Sequence, residues 1–283
     1  VADIPRRWLR GPTAAKWSPT TRRGYECIAA VIVRDLGAKR ADRLRVADVD
    51  DWLMRLADGR SPRTVNHHRA VLRAIFREAE RRELIPSARA ITASTPPTVR
   101  RHELALPPED VVRLLLTTAS PTLACAAIIA AHAGLRRGEV VGLQWADLEG
   151  DTLHVRRAVV HDGPGLTVKT PKSGKGRTVT LSAGTLAALA AHMGRVPGSP
   201  WVFGDPFHPD RPRRPDWLTL AWRRHCARQG AVGFRFHDLR HWHATALLNA
   251  GVPLQVASAR LGHSSPVVTL GIYAHSSDAA DRA

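Results

Sequence analysis

Thirty-seven residues late in the chain, from His237 to Tyr273, constrain it more than any others: HDLRHWHATALLNAGVPLQVASARLGHSSPVVTLGIY. They hold His237, Arg240, His241, His263 and Tyr273, the last being one of only two tyrosines in the sequence beside Tyr25. Arg240 follows His237 by three, so on a helix the two side chains project from one face. The apolar run Ala246-Leu247-Leu248 predicts a helix stopped by Gly251, with Pro253 just beyond. A short helix around Pro253–Leu261 should follow and end at Gly262. Ser265-Pro266 then makes a good cap and first turn for a last helix carrying Tyr273. Such a layout gathers a cation, two imidazoles and a phenol.

The run HDLRH, then LGHSS, then a tyrosine ten residues after that histidine, resembles the signature of the tyrosine recombinase (phage-type integrase) family. Two boxes at this spacing are far more specific than one short motif. The resemblance implies that a tyrosine attacks a DNA phosphodiester and holds the broken strand as a 3′-phosphotyrosine. Tyr273 would be that nucleophile.

Length, charge and cysteine usage agree with such a reading without requiring it. At 283 residues the chain can hold two domains, each with its own core. Its 42 basic and 25 acidic residues leave a formal charge of +17, and the isoelectric point is near 11.3. That field favours a polyanion such as nucleic acid, although arginine-rich usage alone also produces basic proteins. Cys27, Cys125 and Cys226 are odd in number and far apart, with no disulfide framework or CxxC pair, which suits a reducing cytoplasm. The first residues, with Pro5, Arg6 and Arg7, lack the apolar core of a signal peptide. The longest apolar run, Leu123–Ala133, falls short of the roughly 18 residues a membrane span needs. The expected location is cytoplasmic and nucleoid-associated, with no membrane partner.

Along the chain, residues 1–17 read as a basic, turn-rich extension. Residues 18–91 read as a helical domain. Ser18-Pro19 and Ser61-Pro62 open helices, and Gly37 stops the first. A helix over Val46–Leu56 lies between them. In the helix after Ser61, Val65, Leu72, Ile75, Phe76 and Ala79 form an apolar stripe, while Arg69, Arg73, Arg77 and Arg81 recur every four residues on another side. A solvated helix face is the plain reading of that ladder; phosphate contact is the sharper one. The resemblance favours the latter, because the family has a small helical core-binding domain here and TVNHHRAVLRAIFREAERRELI is similar to its last helix. Where the family usually has Asn-Pro-Ala, this chain has Ser87-Ala88-Arg89.

Residues 92–104, with two prolines and no apolar periodicity, read as a linker. Basic residues outnumber acidic ones 22 to 12 up to residue 104 and 20 to 13 after it. Two basic lobes on a hinge suit a clamp around duplex DNA. Residues 105–283 then read as the catalytic domain: helices around an antiparallel sheet, with strands expected over 152–160, 165–170 and 177–181 and helices over 183–193 and 216–228. The expected fold is mainly α with a small antiparallel β-sheet.

A phosphodiester resists nucleophiles because it is anionic, so metal-free cleavage needs fixed cations on its non-bridging oxygens. Arginine suits this, since its planar fork stays charged and holds two oxygens at once. GLRRGEV resembles the family's first arginine box, which assigns Arg136 to that role ahead of its neighbour Arg137, with Glu139 as its acidic support. Arg240 is the second arginine. The leaving 5′-oxygen needs a proton, and the family carries a general-acid lysine in a hairpin turn. Lys169, Lys172 and Lys175 all lie in VKTPKSGKGRTVTL; Pro171-Lys172-Ser173 is most similar to the family pattern, with Lys175 next. A phenol with a pKa near 10 is protonated at neutral pH, so His237 is expected to accept its proton or contact the phosphate. By the same analogy His263 donates to a non-bridging oxygen, and His241 packs or orients. Tyr25 reads as core.

His237, His241, His243 and Cys226 could imitate a zinc site, but no HExxH is present and Arg240 would repel a cation. No metal or cofactor is expected, because the phosphotyrosine itself conserves the bond energy for rejoining. The implied partner is double-stranded DNA at specific sites, bound by a four-subunit synapse that assembles from monomers or weak oligomers. Two other readings use the same residues: a type IB-like topoisomerase, and a non-catalytic DNA-binding protein of the same fold. The short polar tail after Tyr273 implies that assembly uses other contacts or that the chain is truncated, and the absence of an arm-type domain before Thr20 favours a simple-site recombinase or a shortened integrase.

Overall fold

The computed structural model describes residues 1–95, 98, 106–163, 165–170, 176–262 and 265. The chain divides into two compact units, Val1–His102 and Glu103–Ala283.

The first unit is helical: α1 (Asp3–Leu9), α2 (Pro19–Leu36), α3 (Val46–Ala57), α4 (Pro62–Arg81) and the single turn α5 (Arg89–Thr92). Local chemistry sets the two long helices. Ser18 Oγ accepts from the Thr21 N–H and Ser61 Oγ from the Thr64 N–H, both at 3.2 Å, and a proline occupies the first turn each time. Ile32, Leu36, Trp52, Leu72, Ile75 and Phe76 are fully buried between these helices. The Trp52 indole N–H donates to Asp35 Oδ2 at 3.1 Å, so the buried ring keeps its polar edge satisfied.

Residues 1–17 differ from the expected extension. Asp3–Leu9 is helical, Pro12–Lys16 is a 3₁₀ turn, and Ile4 and Trp8 belong to the buried core. Trp8, Trp17 and Tyr25 meet one another at tilted or edge-on angles, with ring centroids 4.5–5.2 Å apart. Two indoles in a short basic stretch carry enough apolar surface to hold it against α2.

The second unit packs helices about two small sheets. Its elements are α6 (Glu109–Thr118), α7 (Pro121–Ala133), α8 (Arg137–Val141), β1 (Leu148–Glu149), β2 (Thr152–Val155), β3 (Ala158–Asp162), β4 (Gly165–Lys169), β5 (Arg177–Thr180), α9 (Ala183–His192), α10 (Pro215–Arg228), α11 (Asp238–Asn249) and α12 (Leu254–Leu261). Antiparallel strands run in the order β1-β2-β5, with Leu153 opposite Val179. The hairpin β3-β4 is separate. The single strand expected over 152–160 is thus two strands in different sheets. The break falls at Arg156-Arg157, whose guanidiniums both turn onto the buried Asp147 carboxylate, at 3.4 and 2.7 Å. Helix α7 is apolar on every side and lies at the centre, with Ile129 and Ala130 fully buried.

Two contacts aim the later helices. His225 Nε2 pairs with the Leu115 carbonyl at 2.9 Å, tying α10 to α6. Trp222 is fully buried and meets Phe234 and Phe236 at centroid distances of 6.0 Å, which fixes the approach to α11. Truncating this ring leaves a cavity against Phe234 and Phe236, in the segment that leads into α11. We expect Trp222→Ala to lower unfolding stability by about 3–5 kcal/mol in denaturant titrations followed by circular dichroism.

Candidate functional site

The site is built on the buried carboxylate of Glu139, 1% exposed, at the third position of α8. Its Oε2 accepts the backbone N–H of Arg136 at 2.9 Å and its Oε1 accepts Arg136 Nη1 at 2.8 Å. The same two oxygens receive the fork of Arg177, Nη1 at 3.1 Å and Nη2 at 2.8 Å. Burial alone would push this carboxyl's pKa up, but the hydrogen bonds and charges of Arg177 and Arg136 outweigh it and hold the pKa below the usual range. The chain can approach so closely because residue 138 is glycine: a Cβ there would stand 2.6 Å from the Val159 carbonyl oxygen.

Arg136 and Arg137 part ways. Arg136 turns inward to Glu139. Arg137 Nη1 donates instead to Thr219 Oγ1 at 2.6 Å and lies 3.6 Å from Asp216, both on α10.

Arg240, on the first turn of α11, is 2% exposed and reaches two helix ends. Its Nη1 donates to the Gly134 carbonyl at 2.5 Å and its Nη2 to the Leu261 carbonyl at 2.6 Å. Burial, then the neighbouring Arg136 charge, pushes its guanidinium down to about 9, so it remains cationic at neutral pH. Gly134 and Gly262 close α7 and α12 in the left-handed conformation, φ 69° and 65°. That turn exposes the last carbonyls of α12, and three arginines take them in succession. Arg177 Nε donates to the Arg260 carbonyl at 2.8 Å, Arg240 to Leu261, and Arg136 Nη2 to Gly262 at 2.9 Å.

His237 stands just before α11, and its ring meets that of His241 edge-on, centroids 4.9 Å apart. Burial, then the His241 and Arg240 charges, pushes the His237 imidazole down to about 4, so it is neutral at pH 7. Burial lowers His241 as well. The loop before them is locked by Asp238, whose carboxylate accepts the Arg235 backbone N–H and guanidinium at 2.8–3.0 Å. His243 accepts Arg260 Nε at 3.2 Å, and burial followed by the Arg260 charge depresses it to about 3.

The structure therefore brings Arg136, Glu139, Arg240, His237 and His241 into one neighbourhood. Tyr273, His263, Lys172 and Lys175 lie outside the described residues. Lys169 ends β4. Among the described residues no three His, Cys, Asp or Glu side chains group closely enough to hold a metal ion. Arg177 and Arg260 had no motif to announce them; the one hint is a cation heading the alternating stretch Arg177-Thr178-Val179-Thr180. In the other unit, the arginine ladder of α4 is divided. Arg69 donates to Ser94 Oγ at 2.9 Å and to the Ser94 carbonyl, and Arg81 pairs with Glu78 at 2.6 Å. Arg77 borders a cavity of about 300 Å³ beside Trp17 and Tyr25, and the Nε of Arg73 is buried.

The depressed histidines set a pH dependence. Unfolding returns His237 and His243 toward the ordinary value of 6.5, so between that value and their folded values the unfolded chain binds more protons. Their contribution to stability is full above pH 6.5 and is lost as pH falls toward 4 and 3. Denaturation midpoints measured from pH 7.5 to 4.5 should fall on acidification, and His243→Gln should flatten that slope.

Comparison with known proteins places this geometry. A model of the phage integrase family matches residues 105–280. The prophage phiRv2 integrase of Mycobacterium tuberculosis is 29% identical over 242 residues, covering 83% of this chain and 64% of the relative. The integrase of Salmonella phage P22 is 29% identical over 218 residues, covering 74% and 52%. The chain thus spans about two-thirds or less of the length of these relatives. Among solved structures, the Tn1549 transposon integrase in complex with a circular intermediate DNA aligns over 100% of this chain and 99% of its own, with TM-score 0.81 at 18% identity. A lambda integrase dimer bound to a COC′ core site aligns over 96% and 95%, with TM-score 0.78 at 17% identity. These likenesses give the same fold, and the family match across more than half of the sequence makes this chain a member of the phage integrase family.

Proposed function

We propose that this protein is a site-specific DNA recombinase that cleaves and rejoins strands through a 3′-phosphotyrosine, with Tyr273 as the nucleophile. The observation that carries the reading is the meeting of Arg136 and Arg240 at consecutive carbonyls, Gly262 and Leu261, with Glu139 as the buried acid beside them. Three guanidiniums around one carboxylate leave a positive excess suited to a phosphate diester. In this mechanism Arg136 and Arg240 hold the non-bridging oxygens, where charge grows as the phenol attacks. His237, neutral at pH 7, accepts the phenolic proton or donates its ring N–H to the phosphate, His241 orients it, and His263 donates to a non-bridging oxygen. Lys172, with Lys175 as its rival, protonates the departing 5′-oxygen. No cofactor enters, since the phosphotyrosine is resealed by attack of a 5′-hydroxyl, which restores the diester and frees the phenol.

The partner is duplex DNA, and a four-subunit synapse performs the exchange. The solved neighbours are integrases bound to DNA, including a lambda integrase tetramer on a Holliday junction. Arg69, Arg73, Arg77 and Arg81 belong to the DNA-facing side of the helical unit in this reading, which also divides the chain into an 18–91 core-binding domain and a 105–283 catalytic domain across the 92–104 linker. No helix among the described residues is long and apolar enough to cross a membrane; work on chromosomal DNA puts the protein in the cytoplasm at the nucleoid.

A suicide substrate nicked near the cleavage point tests the reading. Wild-type protein should accumulate a covalent adduct resolved on denaturing gels, Tyr273→Phe should give none, and Arg240→Ala should slow its formation by about 10²–10³-fold. An adduct formed by Tyr273→Phe would remove Tyr273 from its role. Exchange between two duplexes separates a recombinase from a topoisomerase, which reseals the same strand.

A further inference from the structure

The geometry points to Arg177 as a positioning residue for strand cleavage, acting through Glu139 and the end of α12; the inference rests on the recombinase reading above. Arg177 heads β5, and its side chain is 9% exposed. All three nitrogens of its guanidinium are engaged. Nη1 and Nη2 take the two oxygens of Glu139, and Nε takes the Arg260 carbonyl. The fork therefore spans the acid that orients Arg136 and the peptide next to Leu261 and Gly262, the acceptors of Arg240 and Arg136. Its side chain is 9% exposed and three of its five N–H donors already serve these partners, so its effect on cleavage runs through Glu139 and the end of α12.

Two further features make the contact specific to arginine. Only a planar fork satisfies both carboxylate oxygens and still directs Nε to a third acceptor; a lysine ammonium is a single point. Gly262 also leaves room for it: a Cβ at that position would stand 3.0 Å from Arg177 Cδ. Return contacts brace the same place. Arg260 Nη2 donates to the Thr180 carbonyl of β5 at 3.0 Å and to the His132 carbonyl of α7 at 3.2 Å. Helix α12 and strand β5 thus hold each other through two guanidiniums running in opposite directions. Without Arg177, Glu139 would keep Arg136 but lose the partner that sets its carboxylate plane, and the α12 carbonyls would lose one of their three fixed donors.

The test is single-turnover cleavage of the suicide substrate at saturating protein, with DNA affinity and melting temperature measured on the same samples. Arg177→Gln should cleave about 10–100-fold more slowly at saturation, with its DNA dissociation constant within about threefold of wild type, and Arg177→Lys should recover only part of the rate. The double variant Glu139→Gln/Arg177→Gln should be no slower than the slower single variant, because the two act as one unit. Rates that multiply in the double variant, or a wild-type rate in Arg177→Gln, overturn the inference while leaving the recombinase reading in place. If Arg177→Gln does not fold, full activity in a folded Arg177→Lys overturns it equally. Absence of any wild-type adduct overturns the underlying reading, and this inference with it.

Discussion

One buried carboxylate organises the second unit. Glu139 is desolvated at a cost of several kcal/mol, and what offsets that cost is its full set of charged donors from Arg136 and Arg177. The arrangement is lopsided by design of charge. A single negative group cannot neutralise Arg136, Arg177 and Arg240 together, and burial followed by the charge of Arg136 lowers the pKa of Arg240. A site that keeps such an excess out of bulk solvent is prepared for an anion that arrives with its own charge.

A second set of contacts at the site comes from helix ends. The last carbonyls of a helix have no partner within it and carry the negative end of its dipole. In α12 those groups are given to guanidiniums instead of water, one arginine to each of residues 260, 261 and 262. The left-handed glycines Gly134 and Gly262 make this possible by ending α7 and α12 sharply, and Gly134 has a second constraint, since a Cβ there would meet the His243 ring at 2.7 Å. Arginines held in this way have their orientation set before substrate binds, which is the condition for electrostatic catalysis without reorganisation. The same burial keeps His237 and His243 neutral.

The helical unit shows how a repeated residue type can be put to different uses. Arg69 and Arg81 lie on one ladder of α4, yet Arg69 reaches across to Ser94 while Arg81 closes an ion pair within its own helix. An exposed pair such as Arg81–Glu78 adds little stability. Its guanidinium could exchange that partner for a phosphate at small cost.

Much was legible before any coordinates. Helix starts at Ser18-Pro19 and Ser61-Pro62, the glycine stops and the strands around 153 and 179 depend on residues within a few positions of one another, and short-range sterics and hydrogen bonding decide them; the support of Arg136 by Glu139 was legible only through the family resemblance of GLRRGEV. The two indoles at Trp8 and Trp17 were visible too, but a stretch of mixed composition does not state what it packs against. Nothing local announced Arg177 or Arg260, or separated the partners of Arg136 from those of Arg137. Their acceptors are a carboxylate 38 residues away, carbonyls 80 and 83 residues away, and a threonine 82 residues away. The sequence by itself determined most of the helices, the presence of a small antiparallel sheet, the residue types that can bind a phosphate, and the family. Only the tertiary structure decided which guanidinium meets which acceptor, because that depends on elements distant in the chain being packed closely enough for a three-ångström bond.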